Sequence, residues 1–137
     1  MATIKSYTDI EQSKKLAELL PLDSADMYYK YALPKSDKII HTPEIGNPID
    51  SLKWYNEGYT FRGKREPITL SEYCIPCWSL SVLLYVLPEG YSVGLTKSFN
   101  GIDYYCNLDG KDISVYADNP VDACVAMIEK LHELNLL

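Results

Sequence analysis

At 137 residues the chain has room for one ordinary domain and not for two. It is 47% apolar and 23% charged, which excludes collagen-like, low-complexity and disordered classes. Its net charge of −6 comes from 13 basic and 19 acidic side chains, and the absence of a basic stripe argues against nucleic acid as a general partner. Residues 74–137 hold 3 basic and 8 acidic groups, whereas residues 1–73 hold 10 and 11. The 12 tyrosines against 2 Phe and 2 Trp point to half-buried surfaces, because tyrosine joins an apolar ring to a polar tip. Met1-Ala2-Thr3-Ile4-Lys5 runs into a polar helix without an apolar leader. No apolar stretch approaches the ~18–20 residues that cross a bilayer. Together with four cysteines read as reduced thiols, these features predict a soluble cytoplasmic protein with no membrane partner.

In chain order, Thr8-Asp9-Ile10-Glu11 has the spacing of a capping box, with Thr8 as N-cap and Glu11 reaching back. Ile10, Leu16, Ala17, Leu19 and Leu20 then share a side, so a helix is expected over 9–20, stopped by Pro21. Residues 27–33 are aromatic and unpunctuated and read as a strand. Pro34, Pro43, Gly46 and Pro48 interrupt the next stretch, with short strands expected at 38–41 and 59–62. Residues 77–87 are apolar apart from Ser79 and Ser81; their length and leucine content favour a buried helix, stopped by Pro88 and Gly90.

Asn100-Gly101 and Asp109-Gly110 are both two-residue hairpin signals, and they divide residues 91–117 into a three-stranded meander. The expected pairing sets Leu95 opposite Cys106, Cys106 opposite Ile113, and Tyr104 opposite Lys97 and Val115. One face then carries Tyr91, Val93, Leu95, Phe99, Ile102, Tyr104, Cys106, Leu108, Ile113 and Val115, and the other carries Tyr105 and Tyr116. Asp118-Asn119-Pro120 caps a last helix over 120–134, whose stripe Val121, Cys124, Val125, Ile128 and Leu131 is widened by Met127 and Leu134. The chain therefore reads as a single α+β domain over 1–137. A three- to five-stranded antiparallel sheet, with the meander at 91–117, packs against helices 9–20, 77–87 and 120–134.

Three segments carry a resemblance. The first holds Tyr7-Thr8, Gln12-Ser13-Lys14-Lys15-Leu16-Ala17-Glu18 and Leu20-Pro21-Leu22-Asp23-Ser24-Ala25-Asp26-Met27. The second runs from Pro76-Cys77-Trp78-Ser79-Leu80 through Leu83-Leu84 to Val86-Leu87-Pro88. The third is Asp118-Asn119-Pro120-Val121-Asp122-Ala123-Cys124 with Met127-Ile128 and Leu131-His132-Glu133-Leu134. Together they resemble a family of small uncharacterised proteins from gut Bacteroidetes and their phages and mobile elements. Members often carry Ala-Ala at the places of Ser81 and Val82, which favours a helix there. The resemblance implies a phage or mobile-element setting and supplies no activity.

Cys74-Ile75-Pro76-Cys77 is a CxxC pair. A structural zinc site needs four ligands, and Cys106, Cys124, His41 and His132 are the only others, two of them on apolar faces. No βαβ unit comes after it to support a thioredoxin-like role, so core thiols are the expected reading, with no metal and no cofactor. His41 and His132 lack any local catalytic signature, and Asp23 and Asp26 suit a turn as well as a paired-carboxylate site. No phosphate loop, GxSxG or HExxH occurs, so a non-enzymatic protein is expected; an enzyme with an unrecognised active site is the remaining class.

Residues 54–65 interleave four aromatics, Trp54, Tyr55, Tyr59 and Phe61, with three cations, Arg62, Lys64 and Arg65. The bland reading is a β-hairpin with packed tyrosines and a solvated basic turn. Next come a protein interface anchored by Tyr, Trp and Arg, and then a small anionic, nucleotide-like ligand. Tyr105 and Tyr116 complete the candidate binding residues as an outer sheet face. Tyr104, Tyr85 and Tyr91 are expected on the core side. The leading expectation is an accessory protein of a phage or mobile element that binds a host or phage protein, and the second is a ligand-sequestering protein.

Overall fold

Asp9, not Thr8, opens the first helix. In the computed structural model its carboxylate accepts from the Gln12 amide at 2.8 Å while the Gln12 side chain accepts from the Asp9 amide at 3.1 Å. The capping box is thus one residue later than the Thr8–Glu11 spacing implies, and Thr8 is fully buried instead. The structure describes residues 5–87, 91–98, 101–108 and 114–136, and for 91–98 and 101–108 the backbone alone. The fold is α+β, as expected, and the chain divides into two compact units, residues 9–78 and residues 1–8 with 79–137. No helix among the described residues is long and apolar enough to cross a membrane.

In the unit formed by residues 9–78, helix α1 (Ile10–Leu19) packs its buried Leu16 side toward strand β5 (Cys74–Cys77). A single 3₁₀ turn at Leu22–Ser24 leads into β1 (Met27–Lys30), the central strand of a sheet ordered β2-β1-β5 with β2 at Glu44–Ile45. Both pairings are antiparallel, with Met27 opposite Ile45 and Cys77, and Lys30 opposite Cys74. The predicted strand at 27–33 is therefore shorter, and the one at 38–41 reduces to a bridge between Tyr31 and Ile39. Residues 74–77 are strand, which corrects the helix expected over 77–87. Pro76 is tolerated there because β5 is a sheet edge, where a missing amide breaks no ladder.

Helix α2 (Pro48–Glu57) has no counterpart among the elements expected from the sequence. Asn47 makes it: its side-chain oxygen accepts from the amides of Ile49 at 3.0 Å and Asp50 at 3.2 Å, and Pro48 occupies the first turn, where no amide bond is lost. The same side chain donates to the carbonyls of Asp23 at 3.0 Å and Ala25 at 3.3 Å, which ties the helix start to the turn before β1. Asn47→Ala is expected to cost about 2 kcal/mol, the upper end for a cap, because it removes two hydrogen bonds beyond the cap itself. Urea unfolding followed by circular dichroism measures it; a loss below ~0.5 kcal/mol contradicts the double role.

Past α2 the chain makes a small hairpin, β3 (Tyr59–Thr60) with β4 (Gly63–Lys64), in place of the longer strand expected at 59–62. Gly63 has φ +123°, a region closed to other residues, and Thr60 Oγ1 braces the tip by accepting from Arg62 N and donating to Gly63 O, both at 3.2 Å. The connection back is pinned by Asn56, whose amide donates to Ile68 O at 3.1 Å and accepts from Ile68 N at 2.9 Å. A short helix α3 (Leu70–Tyr73), opened by the Thr69–Glu72 capping box, then feeds β5.

In the other unit, Ser79 caps α4 (Leu80–Val86), so the predicted helix starts three residues late. Strands β6 (Tyr91–Ser98), β7 (Gly101–Leu108) and β8 (Ser114–Ala117) form the expected antiparallel meander. Its register is displaced by two residues from the predicted one. Leu95 faces Tyr104, Cys106 faces Val93 and Val115, and Tyr104 faces Ala117. A two-residue displacement keeps every position's parity, so the division into two faces is unaffected. Phe99, Asn100, Asp109, Gly110 and Ile113, which enter the predicted pairing, lie outside the described residues, as do Pro88 and Gly90. Helix α5 (Pro120–Glu133), capped by Asn119, lies against all three strands and α4. Its predicted stripe is buried; Leu134 falls past the helix and is exposed. Asn135 takes the left-handed φ of 57° that closes the helix end, with the Leu136 amide returning to Leu131 O at 2.8 Å.

Candidate functional site

Strand and helix periodicities together build a groove in the unit of residues 9–78. Alternation along β1 puts Tyr28 and Lys30 on one side of the strand, and Ser51, Tyr55 and Gly58 recur at three- and four-residue steps along α2 and just beyond it. With Trp54, Arg65 and Tyr73 these residues line an open groove of about 440 Å³. Its floor is aromatic: the Tyr73 ring lies 5.5 Å from Tyr55 and 6.0 Å from Tyr28, both tilted. Beneath it, Tyr28, Tyr73, Ile68 and Cys74 form a buried cluster.

The polar tips of the buried tyrosines are satisfied within the protein. The Tyr28 hydroxyl donates to Glu44 Oε2 at 2.7 Å, and hydrogen bonds from Ser51 and Tyr73 reach its oxygen. Burial pushes both phenols above their ordinary range; for Tyr73 the neighbouring Tyr28 adds to it. The floor is thus a neutral, fixed platform. Two cations stand over it. The Arg65 guanidinium lies 4.6 Å from the Tyr55 ring centre, and Lys30 Nζ lies 5.9 Å from that of Tyr73. Among the described residues no carboxylate forms an ion pair with either. Gly58 makes the Arg65 position possible, since a Cβ there would lie 3.0 Å from the guanidinium carbon and 3.1 Å from Tyr55 O.

The residues singled out from the sequence separate into distinct places. Tyr55 and Arg65 sit in the groove and Trp54 on its rim, 80% exposed and helical, not part of a β-hairpin. Tyr59, Phe61, Arg62 and Lys64 belong to the hairpin outside the groove, with Phe61 94% exposed at the tip and Arg62 stacked 5.3 Å from its ring centre. Tyr116 is 67% exposed on β8 and pairs in register with Tyr105, whose side chain lies outside the described set. Tyr85, expected on the core side, is 89% exposed on α4, because the helix buries Leu83 and a residue two positions on falls on nearly the opposite side. Tyr104 and Tyr91, expected beside it, belong to the part described by backbone alone.

Sequence reasoning misses Tyr28, Lys30, Ser51 and Tyr73. The available signal is the Asn47-Pro48 start of α2, which brings the 51/55/58 stripe into view. Cys74 and Cys77 are buried on a strand three residues apart, a spacing that sends them to opposite faces, so they do not form a ligand pair. Burial pushes the Cys74 thiol up to about 12. Among the described residues no group of three or more His, Cys, Asp or Glu could hold a metal ion. His41 and His132 are exposed, and neither lines this groove. Asp23 is exposed within the 3₁₀ turn. A larger, apolar groove of about 630 Å³ runs between α1 and α3, but its rim bears Lys14 and Glu18 with opposed charges and no converging cations. No family model, curated protein or solved structure matches the chain.

Proposed function

We propose that this chain is a cytoplasmic, non-enzymatic accessory protein of a phage or mobile element, working as a protein-interaction module. One observation carries the reading: Trp54, Tyr59 and Phe61 are 80%, 73% and 94% exposed within eight residues, beside Arg62, Lys64 and Arg65. Large rings left in water on a braced hairpin and a helix end are the composition of an interface centre, where Trp, Tyr and Arg supply most of the binding energy. None of the three cations forms an ion pair with a carboxylate among the described residues, so the matching partner surface is acidic. The phage or mobile-element setting rests on the resemblance of the three sequence segments.

The test compares capture from a gut-anaerobe lysate by the native chain and by Tyr59→Ala and Phe61→Ala variants with unchanged thermal melts. A protein retained by the native chain and weakened at least ~30-fold by Phe61→Ala, the effect of losing a hot-spot ring, is the expected result. Retention that ignores both substitutions, or no specific retention, overturns it.

A further inference from the structure

We propose that the groove between β1 and α2 binds a phosphate ester carrying a planar ring, of the nucleoside mono- or diphosphate class. The site shares Trp54 and Arg65 with the interface proposed above, but Tyr59, Phe61, Arg62 and Lys64 of the hairpin lie outside it, and its ligand does not depend on the partner reading.

Four observations converge on it. The Arg65 guanidinium lies over Tyr55, 4.6 Å from the ring centre, and is backed by Gly58; among the described residues it makes only a long 3.5 Å contact from Nη1 to Tyr55 O, so most of its donors stay free for an anion. A planar guanidinium fixed in this way suits bidentate contact with phosphate oxygens. Lys30 supplies a second positive charge on the adjoining Tyr73 ring. Both cations are only half exposed and face no carboxylate partner among the described residues, in a chain whose net charge is −6. The acid nearest the floor, Glu44, is engaged by the Tyr28 hydroxyl and does not line the groove.

The ring requirement comes from the rim. Trp54 presents an indole, 80% exposed, at the same groove, and an indole face matches a purine better than a phenol. At about 440 Å³ the groove exceeds what inorganic phosphate needs and falls within the range of small-molecule sites. The buried hydroxyls of Tyr28 and Tyr73 are already paired, so the platform offers stacking and no competing polar demand. Phosphate on Arg65 and Lys30, with the base against Trp54, uses every free group the groove provides.

The probe is ADP, with AMP, adenosine, inorganic phosphate and phosphotyrosine as comparisons, read by tryptophan quenching and calorimetry on the full chain. Quenching reports on Trp54, because the other tryptophan, Trp78, is fully buried. ADP is expected to bind with Kd below ~1 mM. Adenosine and inorganic phosphate should each bind at least ~10-fold more weakly, since each lacks half of the recognised group. Arg65→Gln and Lys30→Gln, which keep much of the packed stems, should each weaken ADP by ~10-fold or more, and Gly58→Ala should do the same by displacing Arg65. Phe61→Ala, outside the groove, should leave ADP affinity unchanged, which separates this site from the hairpin interface. Absence of ADP binding at ~1 mM overturns the proposal. So does affinity indifferent to Arg65→Gln and Lys30→Gln, inorganic phosphate equal to ADP, or phosphotyrosine binding more tightly than every nucleotide, which would assign the groove to a peptide.

Discussion

Trp78→Ala is expected to lower the stability of the unit formed by residues 9–78 by about 4 kcal/mol, within the range for removing a fully buried tryptophan. Trp78 has no exposed surface, and its Nε1 donates to Ser24 Oγ at 2.9 Å. Ser24 in turn donates to Pro21 O, so the indole holds the 3₁₀ turn before β1 against the end of β5, across 54 positions of sequence. Domains of this size have only about 5–15 kcal/mol in total, so the loss is a large fraction of it. Trp78→Phe separates the two contributions. It keeps most of the ring volume and leaves Ser24 without its donor, for an expected cost of about 1–2 kcal/mol. Urea unfolding by circular dichroism measures both, and in either variant the remaining tryptophan emission comes from Trp54 alone. A Trp78→Ala variant within ~1 kcal/mol of the native chain would contradict the burial.

Trp78 also marks where periodicity misleads. Residues 77–87 are one apolar run in sequence, and length favours a helix throughout. The physical boundary is Ser79, whose hydroxyl accepts from the Val82 amide and starts α4 there, while residues 74–77 pair with β1. Pairing with β1 joins segments far apart in the chain, such as Met27 and Cys77, and no local pattern announces it. The same limit applies to the meander: parity is legible, but the register depends on loop geometry that an Asn-Gly or Asp-Gly signal fixes only to within two residues.

Helix α2 is legible in the sequence, though its signal is muted. Asn47-Pro48-Ile49-Asp50 repeats the grammar of Asn119-Pro120-Val121-Asp122: an Asn cap, Pro in the first turn, an apolar residue and an acidic third position. The second copy stands out because a strong stripe comes after it. The first lies among Pro43, Gly46 and Pro48, where breakers suggest irregular chain, and α2 buries little besides Pro48. The candidate site has the same character. Tyr55 and Arg65 are visible in the aromatic and basic run, whereas Lys30 and Tyr73 reach the groove only through sheet and helix placement. Charge and aromatic content locate the neighbourhood; the tertiary fold chooses the members.

Alkaline titration offers the second large effect, and its sign comes from burial. Cys74 is packed with Tyr28, Ile68 and Tyr73, and desolvation raises its thiol from 9.0 to about 12. Between those values the unfolded chain releases a proton that the folded chain keeps. The folded state then binds more protons, so stability falls as pH rises. The contribution is intact below about pH 9 and declines by roughly 1.4 kcal/mol per pH unit above it, up to a total on the order of 4 kcal/mol near pH 12. Tyr28 and Tyr73, also raised by burial, add to the loss once pH exceeds their ordinary value of 10.0. Cys74→Ala isolates the thiol. At pH 7 the variant is expected to be about 1 kcal/mol less stable, from the small cavity it leaves. With no thiol to ionise it loses less between pH 9 and 11, so the two stability curves approach and cross. Urea midpoints at about pH 8, 9, 10 and 11 track the crossing directly. Parallel curves for the two proteins over that interval would show that the thiol ionises equally in both states, and that the cluster beneath the groove is not a dry platform.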